Sequence, residues 1–176
     1  KQAQARPAAT AISLPTGALS FYRLEELTWR VAALLRQNGV QAGDIVALSF
    51  ADELALLVTL LATARIGATA FSVPGNSPPF LRAEMAARAK ARILATDHGD
   101  AKSIAGLSRL PVDIAALEKS GARIDTDVRE NSPAAPWLII TGSGSTGNPK
   151  LFAVTHAQFL ARTALAGAQL ALSPAD

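Results

Sequence analysis

An open α/β fold, a largely parallel sheet flanked by helices, is what this chain predicts, and three observations carry the prediction. Short apolar runs alternate with segments of helical spacing, Gly, Asp and Pro punctuate the brief joins, and 49% of the residues are apolar against 18% charged. Strands that alternate with helices over short connections pair in parallel, with the helices packed on the sheet faces. The same composition excludes a disordered, fibrous or disulfide-stapled chain.

The elements follow in order. Ser20 precedes Leu24, Leu27, Val31, Leu34 and Leu35, which share one face of a helix that Gly39 closes. Ile45 to Phe50 is short, β-branched at its start and preceded by Gly43-Asp44, as a buried strand should be. Asp52 can N-cap a helix from Glu53 to Ile66 that Gly67 ends. That helix is apolar nearly all round, so it should be covered on several sides. Its apolar run from Leu54 to Ala64 is too short to span a membrane, and Arg65 follows it.

Ala68 to Val73 reads as a second strand, and Pro74-Gly75-Asn76-Ser77-Pro78-Pro79 as a loop that opens a helix near Phe80 and releases it near Lys90. Arg92 to Thr96 is a third strand. From Asp97 to Ala135 the periodicity fades into connecting structure, with one helix at Val112 to Lys119. Pro136 to Thr141 is another strand, Leu151 to Val154 favours one, and Thr155 or His156 starts a last helix through Phe159, Leu160 and Thr163.

A length of 176 residues fits a single α/β subdomain spanning residues 1–176. The start has no initiator Met and no secretory leader, and the end, Leu172 to Asp176, stops where a helix has just closed, so both read as cuts in a longer chain. With no Cys there is no disulfide framework or thiolate metal site, which fits a cytoplasmic location. The net charge of +3 comes from 17 basic and 14 acidic residues spread along the chain, a weak argument for nucleic acid. Trp29, Trp137 and Tyr22 are too few to stack bases. His98 and His156 lack neighbours at metal-ligand spacing and read as surface or helix-start residues, so no metal site is expected. Arg88, Lys90 and Arg92 fall at a helix carboxyl end, where cations offset the macrodipole.

One stretch is not needed by a packed core. Gly142-Ser143-Gly144-Ser145-Thr146-Gly147-Asn148-Pro149, then Lys150, combines three glycines that let backbone N–H groups converge with three hydroxyls and an ammonium suited to phosphate oxygens. It leaves the carboxyl end of a strand, where open α/β sheets place ligands. A Walker loop needs Lys directly after the second Gly and a hydroxyl after the Lys, whereas here Asn148-Pro149 intervene and Leu151 follows. Gly142, Gly144 and Gly147 match G-x-G-x-x-G, yet no acidic residue follows at dinucleotide-fold distance. A flexible Gly/Ser connector is the bland alternative, but this segment separates two strands of one core.

The stretch from Ser143 to Lys150, followed by Val154-Thr155-His156, resembles the phosphate-binding signature of the adenylate-forming enzymes: acyl-CoA synthetases, peptide-synthetase adenylation domains and luciferases. Leu19-Ser20-Phe21 with Leu24-Glu25, Gly39-Val40 with Gly43-Asp44 and Val46-Ala47, then Ile66-Gly67-Ala68 and Val73-Pro74, extend the likeness over most of the chain. The resemblance implies the amino-terminal subdomain of the adenylate-forming fold, truncated from a larger AMP-binding domain. It implies an AMP-forming acid–thiol ligase: acid and ATP give acyl-adenylate and pyrophosphate, then a thioester with CoA or an acyl or peptidyl carrier protein. ATP would be the cofactor, with Mg²⁺, and Ser143, Gly144, Ser145, Thr146, Gly147 and Lys150 would hold its phosphates.

Gly142 stands where the family usually has a hydroxyl residue, Thr141 where an aromatic is common, and Leu151 where Gly often follows the Lys. The family's catalytic residues lie downstream of Asp176, so the chain alone is expected not to turn over. Two other readings stay open: a different nucleotide-binding protein with a Gly-rich loop, and a non-catalytic homologue acting as an interaction module.

Overall fold

Capping chemistry sets most boundaries in the computed structural model, which describes residues 2–15, 17–73, 77–97, 104–120, 131–142 and 149–171. A single turn, α1 (Gln2–Ala5), precedes an antiparallel hairpin of β1 (Thr10–Leu14) and β2 (Gly17–Ser20). Ser20 accepts a hydrogen bond from the Arg23 amide and starts α2 (Phe21–Gln37). Beyond the helix, Gly39 at φ 79° lets Val40 N–H reach the Leu35 carbonyl. β3 (Ile45–Ser49) leads to α3 (Glu53–Ile66), capped by the Asp52 carboxylate on the Leu54 amide at 2.8 Å and closed by Gly67 at φ 74°. β4 (Thr69–Ser72), α4 (Pro79–Arg88), β5 (Ile93–Thr96), β6 (Ser108–Pro111) and α5 (Ile114–Lys119) follow. β7 (Pro136–Gly142), β8 (Lys150–Thr155) and α6 (His156–Gln169) complete the described chain.

The six strands from β3 to β8 form one sheet in the order β6-β5-β3-β4-β7-β8, parallel throughout except for the antiparallel pair β7–β8. From β3 the chain moves to one side for β4 and returns across β3 for β5. Right-handed crossovers in opposite directions put α3 and α4 on opposite faces. Strand alternation then divides the core in two. Val46, Leu48, Ala70 and Ile93 face α2 and α3, meeting Leu27, Leu35, Val58 and Ile66. Ala47, Phe71, Leu94 and Ile139 face α4 and pack with Met85 and Ala86. Every residue of α3 but Glu53 is at least partly buried, as its apolar circumference predicts.

The expected α/β fold and the bounds of α3 are as the sequence predicts. Three features differ. The β1–β2 hairpin and β6 were not expected, because they are short and carry single buried apolar residues, Leu19 and Leu110. The short helix begins at Ile114 rather than Val112, since Asp113 caps it through the Ala116 amide. Gly142 belongs to β7, paired with Lys150, instead of opening the loop. The predicted loop residues Pro74 to Asn76, His98, and residues 121–130 of the connecting segment lie outside the described residues.

Candidate functional site

Two candidate places lie at the carboxyl end of the sheet. The first is where connections diverge, between β3 and β5. There the Asp97 carboxylate accepts from the Ala51 amide at 3.0 Å and the Asp52 amide at 2.7 Å. A cavity of about 260 Å³ beside it is lined by Asp52, Asp97 and Asp113 with Ala55, Val112 and Ile114. Its carboxylates have structural work: Asp52 and Asp113 cap helices, and Asp97 holds the β3–α3 turn. Their charge is the wrong sign for a polyphosphate.

The second place is the junction of β7 and β8. A seven-residue connection, 143–149, cannot make a parallel crossover, so β8 returns antiparallel beside β7. Gly142 and Lys150 face one another across its base. A Cβ on Gly142 would lie 2.6 Å from Cε2 of Phe152, so the Phe152 ring occupies the room that a side chain would need. Alternation sends Leu151 the other way, into the cluster of Phe71, Val73 and Met85 beside α4. The departures at 142 and 151 are therefore filled: a ring covers the glycine and the leucine seats the strand. Lys150 is exposed at the first position of β8, available to an anion. Of the residues predicted to hold phosphates, Ser143, Gly144, Ser145, Thr146 and Gly147 lie outside the described residues, and Lys150 is the one that the structure describes.

The basic trio predicted to offset a helix dipole is more differentiated. Arg88 Nη1 donates to the Pro149 carbonyl at 3.1 Å, and Arg92 pairs with Asp44 at 3.0 Å. Lys90 takes the left-handed conformation after α4, with φ 56°, so that Ala91 N–H reaches the Ala86 carbonyl. The contact of Arg88 with the end of the signature was missed, because 61 positions separate the partners and no local pattern reports a tertiary hydrogen bond.

Beyond β8, Thr155 caps α6 with a reciprocal bond pair: its hydroxyl accepts from the Gln158 amide at 3.2 Å, and Gln158 Oε1 accepts from the Thr155 amide at 3.0 Å. His156 opens the helix, as expected. Its ring stacks on Trp137 at 5.7 Å, Phe159 meets that indole edge-on at 4.3 Å, and Trp137 Nε1 donates to the Leu60 carbonyl. Burial holds the His156 pKa below its ordinary value of 6.5. The unfolded state then binds protons more readily, so stability should decline as pH falls below about 6.5 and level off beneath the folded pKa. His156→Gln should remove that slope, measured as urea midpoints between about pH 7.5 and 5. An unchanged slope would assign it to other groups.

Among the described residues, no group of three or more His, Cys, Asp or Glu is placed to hold a metal. No described helix is long and apolar enough to cross a membrane.

Known proteins share this fold. The model of a family described as AMP-binding enzyme matches residues 1–175. The chain belongs to that family. Among similar relatives, the nonribosomal peptide synthetase aneB of Aspergillus aculeatus is 32% identical over 158 residues, which are 86% of this chain and 14% of that protein. The nonribosomal peptide synthetase SIDD of Beauveria bassiana is 32% identical over 167 residues, 90% of this chain and 9% of that one. Among solved structures, the NpsA amino-terminal subdomain of Klebsiella oxytoca, in complex with 3-hydroxybenzoyl-AMSN, superposes with a TM-score of 0.76 at 28% identity, over 88% of this chain and 38% of that chain. The o-succinylbenzoate CoA synthetase MenE of Bacillus subtilis, in complex with its acyl-adenylate intermediate OSB-AMP, reaches 0.86 at 19% identity over 99% and 46%, a likeness of fold. The chain therefore spans a minor part of the proteins it matches, and the resemblance to adenylate-forming enzymes read from its residues holds.

Proposed function

We propose that this chain is the amino-terminal part of an ATP-dependent ligase that activates a carboxylic acid as its acyl-adenylate, releasing pyrophosphate, and then passes the acyl group to a thiol. The observation that carries this reading is the signature from Ser143 to Lys150, which in sequence links the end of β7 to the start of β8 in a chain of the AMP-binding family. A carrier protein is the favoured thiol over CoA: the relatives at 32% identity are peptide synthetases, and one similar structure at 30% identity is NpsA-ThdA, an artificially fused adenylation–PCP di-domain.

The residues present suit ATP. Lys150 offers an exposed ammonium, and the glycines and hydroxyls of 143–147 supply donor types that stabilise a leaving pyrophosphate by position and charge. Mg²⁺ would enter on phosphate oxygens, as it usually does. Lack of Cys fits a cytoplasmic setting.

Acid-dependent exchange of labelled pyrophosphate into ATP tests the proposal. The complete polypeptide should show exchange with at least one acid in a panel of amino, aryl and fatty acids, and residues 1–176 alone should show none. No exchange by the complete protein would sink the ligase reading. Tight ATP binding by residues 1–176 alone would instead favour a different nucleotide-binding protein.

A further inference from the structure

Arg88 sits in the last turn of α4, where a cation has a ready explanation in the helix dipole. Its geometry points elsewhere. The ion pair with Glu84 is loose, at 3.9 Å between exposed side chains, whereas Nη1 donates to the Pro149 carbonyl at 3.1 Å. Proline has no N–H, so this oxygen is the only backbone hydrogen-bonding group that Pro149 has. It is also one end of the rigid, planar peptide unit whose other end is the Lys150 amide. A donor that fixes the Pro149 oxygen therefore fixes the orientation in which Lys150 enters β8.

The next two residues complete the fixation. Leu151 is seated in the α4-side cluster, and Phe152 is pressed over Gly142 on the opposite face. Three consecutive contacts hold the start of β8, and the first of them comes from the Arg88 guanidinium.

We infer that Arg88 is a positioning residue for Lys150: by holding the Pro149 carbonyl it sets where the Lys150 ammonium meets the phosphates of a nucleotide. The inference rests on the function proposed above.

Two measurements test it. In residues 1–176, Arg88→Met should speed amide hydrogen exchange of the peptide from Pro149 to Phe152 several-fold while the melting temperature stays within about 2 °C, because the side chain is partly exposed. Arg88→Lys, which keeps a donor without the fork, should recover part of the protection. Unchanged exchange overturns the inference, and so does a fall in melting temperature of more than about 5 °C, which would assign Arg88 to the fold.

In the complete ligase, Arg88→Met should lower acid-dependent pyrophosphate exchange about three- to tenfold, and by less than about twofold when Lys150 is already Met, because the effect passes through Lys150. Independent, multiplying losses overturn it. If the unmutated ligase shows no exchange, the functional proposal fails on its own, and the hydrogen-exchange result still decides whether Arg88 holds the junction.

Discussion

Replacing Lys150 by Met is expected to cut acid-dependent pyrophosphate exchange by about 10²-fold in the complete ligase, the scale seen when one preorganised electrostatic group is removed from a developing charge. Folding should be nearly untouched. Lys150 is exposed, and its backbone pairing with Gly142 does not depend on the side chain. Lys150→Arg keeps the charge but spreads it over a planar fork, so it should recover only part of the rate. Exchange within about threefold of the parent in Lys150→Met would show that the ammonium does not reach the phosphates, and the site would have to be sought elsewhere.

Replacing Phe71 by Ala should cost about 3–5 kcal/mol of stability, read as a lower urea midpoint at unchanged slope. Phe71 is fully buried at the middle of the α4 face, packed in the cluster that holds Met85, Leu94 and Ile139. It also pairs directly with Ile139, so the void would open beneath the join between β4 and β7. Phe71→Leu, which keeps most of the volume, should cost less than half as much. A loss below about 1 kcal/mol for the alanine variant would mean that the neighbours close the gap.

The sequence was most informative where a side chain makes its own boundary. Asp52 and Gly67 bracket α3 because a carboxylate that accepts two amides and a residue free to take positive φ act within a few positions of themselves. Ser20 and Thr155 did the same for α2 and α6. Legibility failed where tertiary company decides. Nothing in Ser108 to Pro111 marks a strand except the partner β5, which supplies its hydrogen bonds. The direction of β8 could have been read from the shortness of the connection before it, though not from residues 151–154 themselves. For the site, the residue types from Ser143 to Lys150 were enough to point to the family. The roles of Arg88 and Phe152 were hidden, since each depends on a contact made across the fold rather than along the chain.

Among the described residues, the ladder joining β4 to β7 has two partner pairs, Ala70 with Leu138 and Phe71 with Ile139, and each of the other parallel ladders has four. Among the strands, β4 alone joins the β7–β8 hairpin to the rest of the sheet, so a local opening at that ladder should cost less than unfolding the whole domain. A nucleotide that binds only the docked hairpin would draw that local equilibrium shut, by RT ln(1 + [L]/Kd). Substrate saturation and the integrity of the sheet become one linked quantity, so such an enzyme would be most vulnerable to proteolysis when it is starved of ATP.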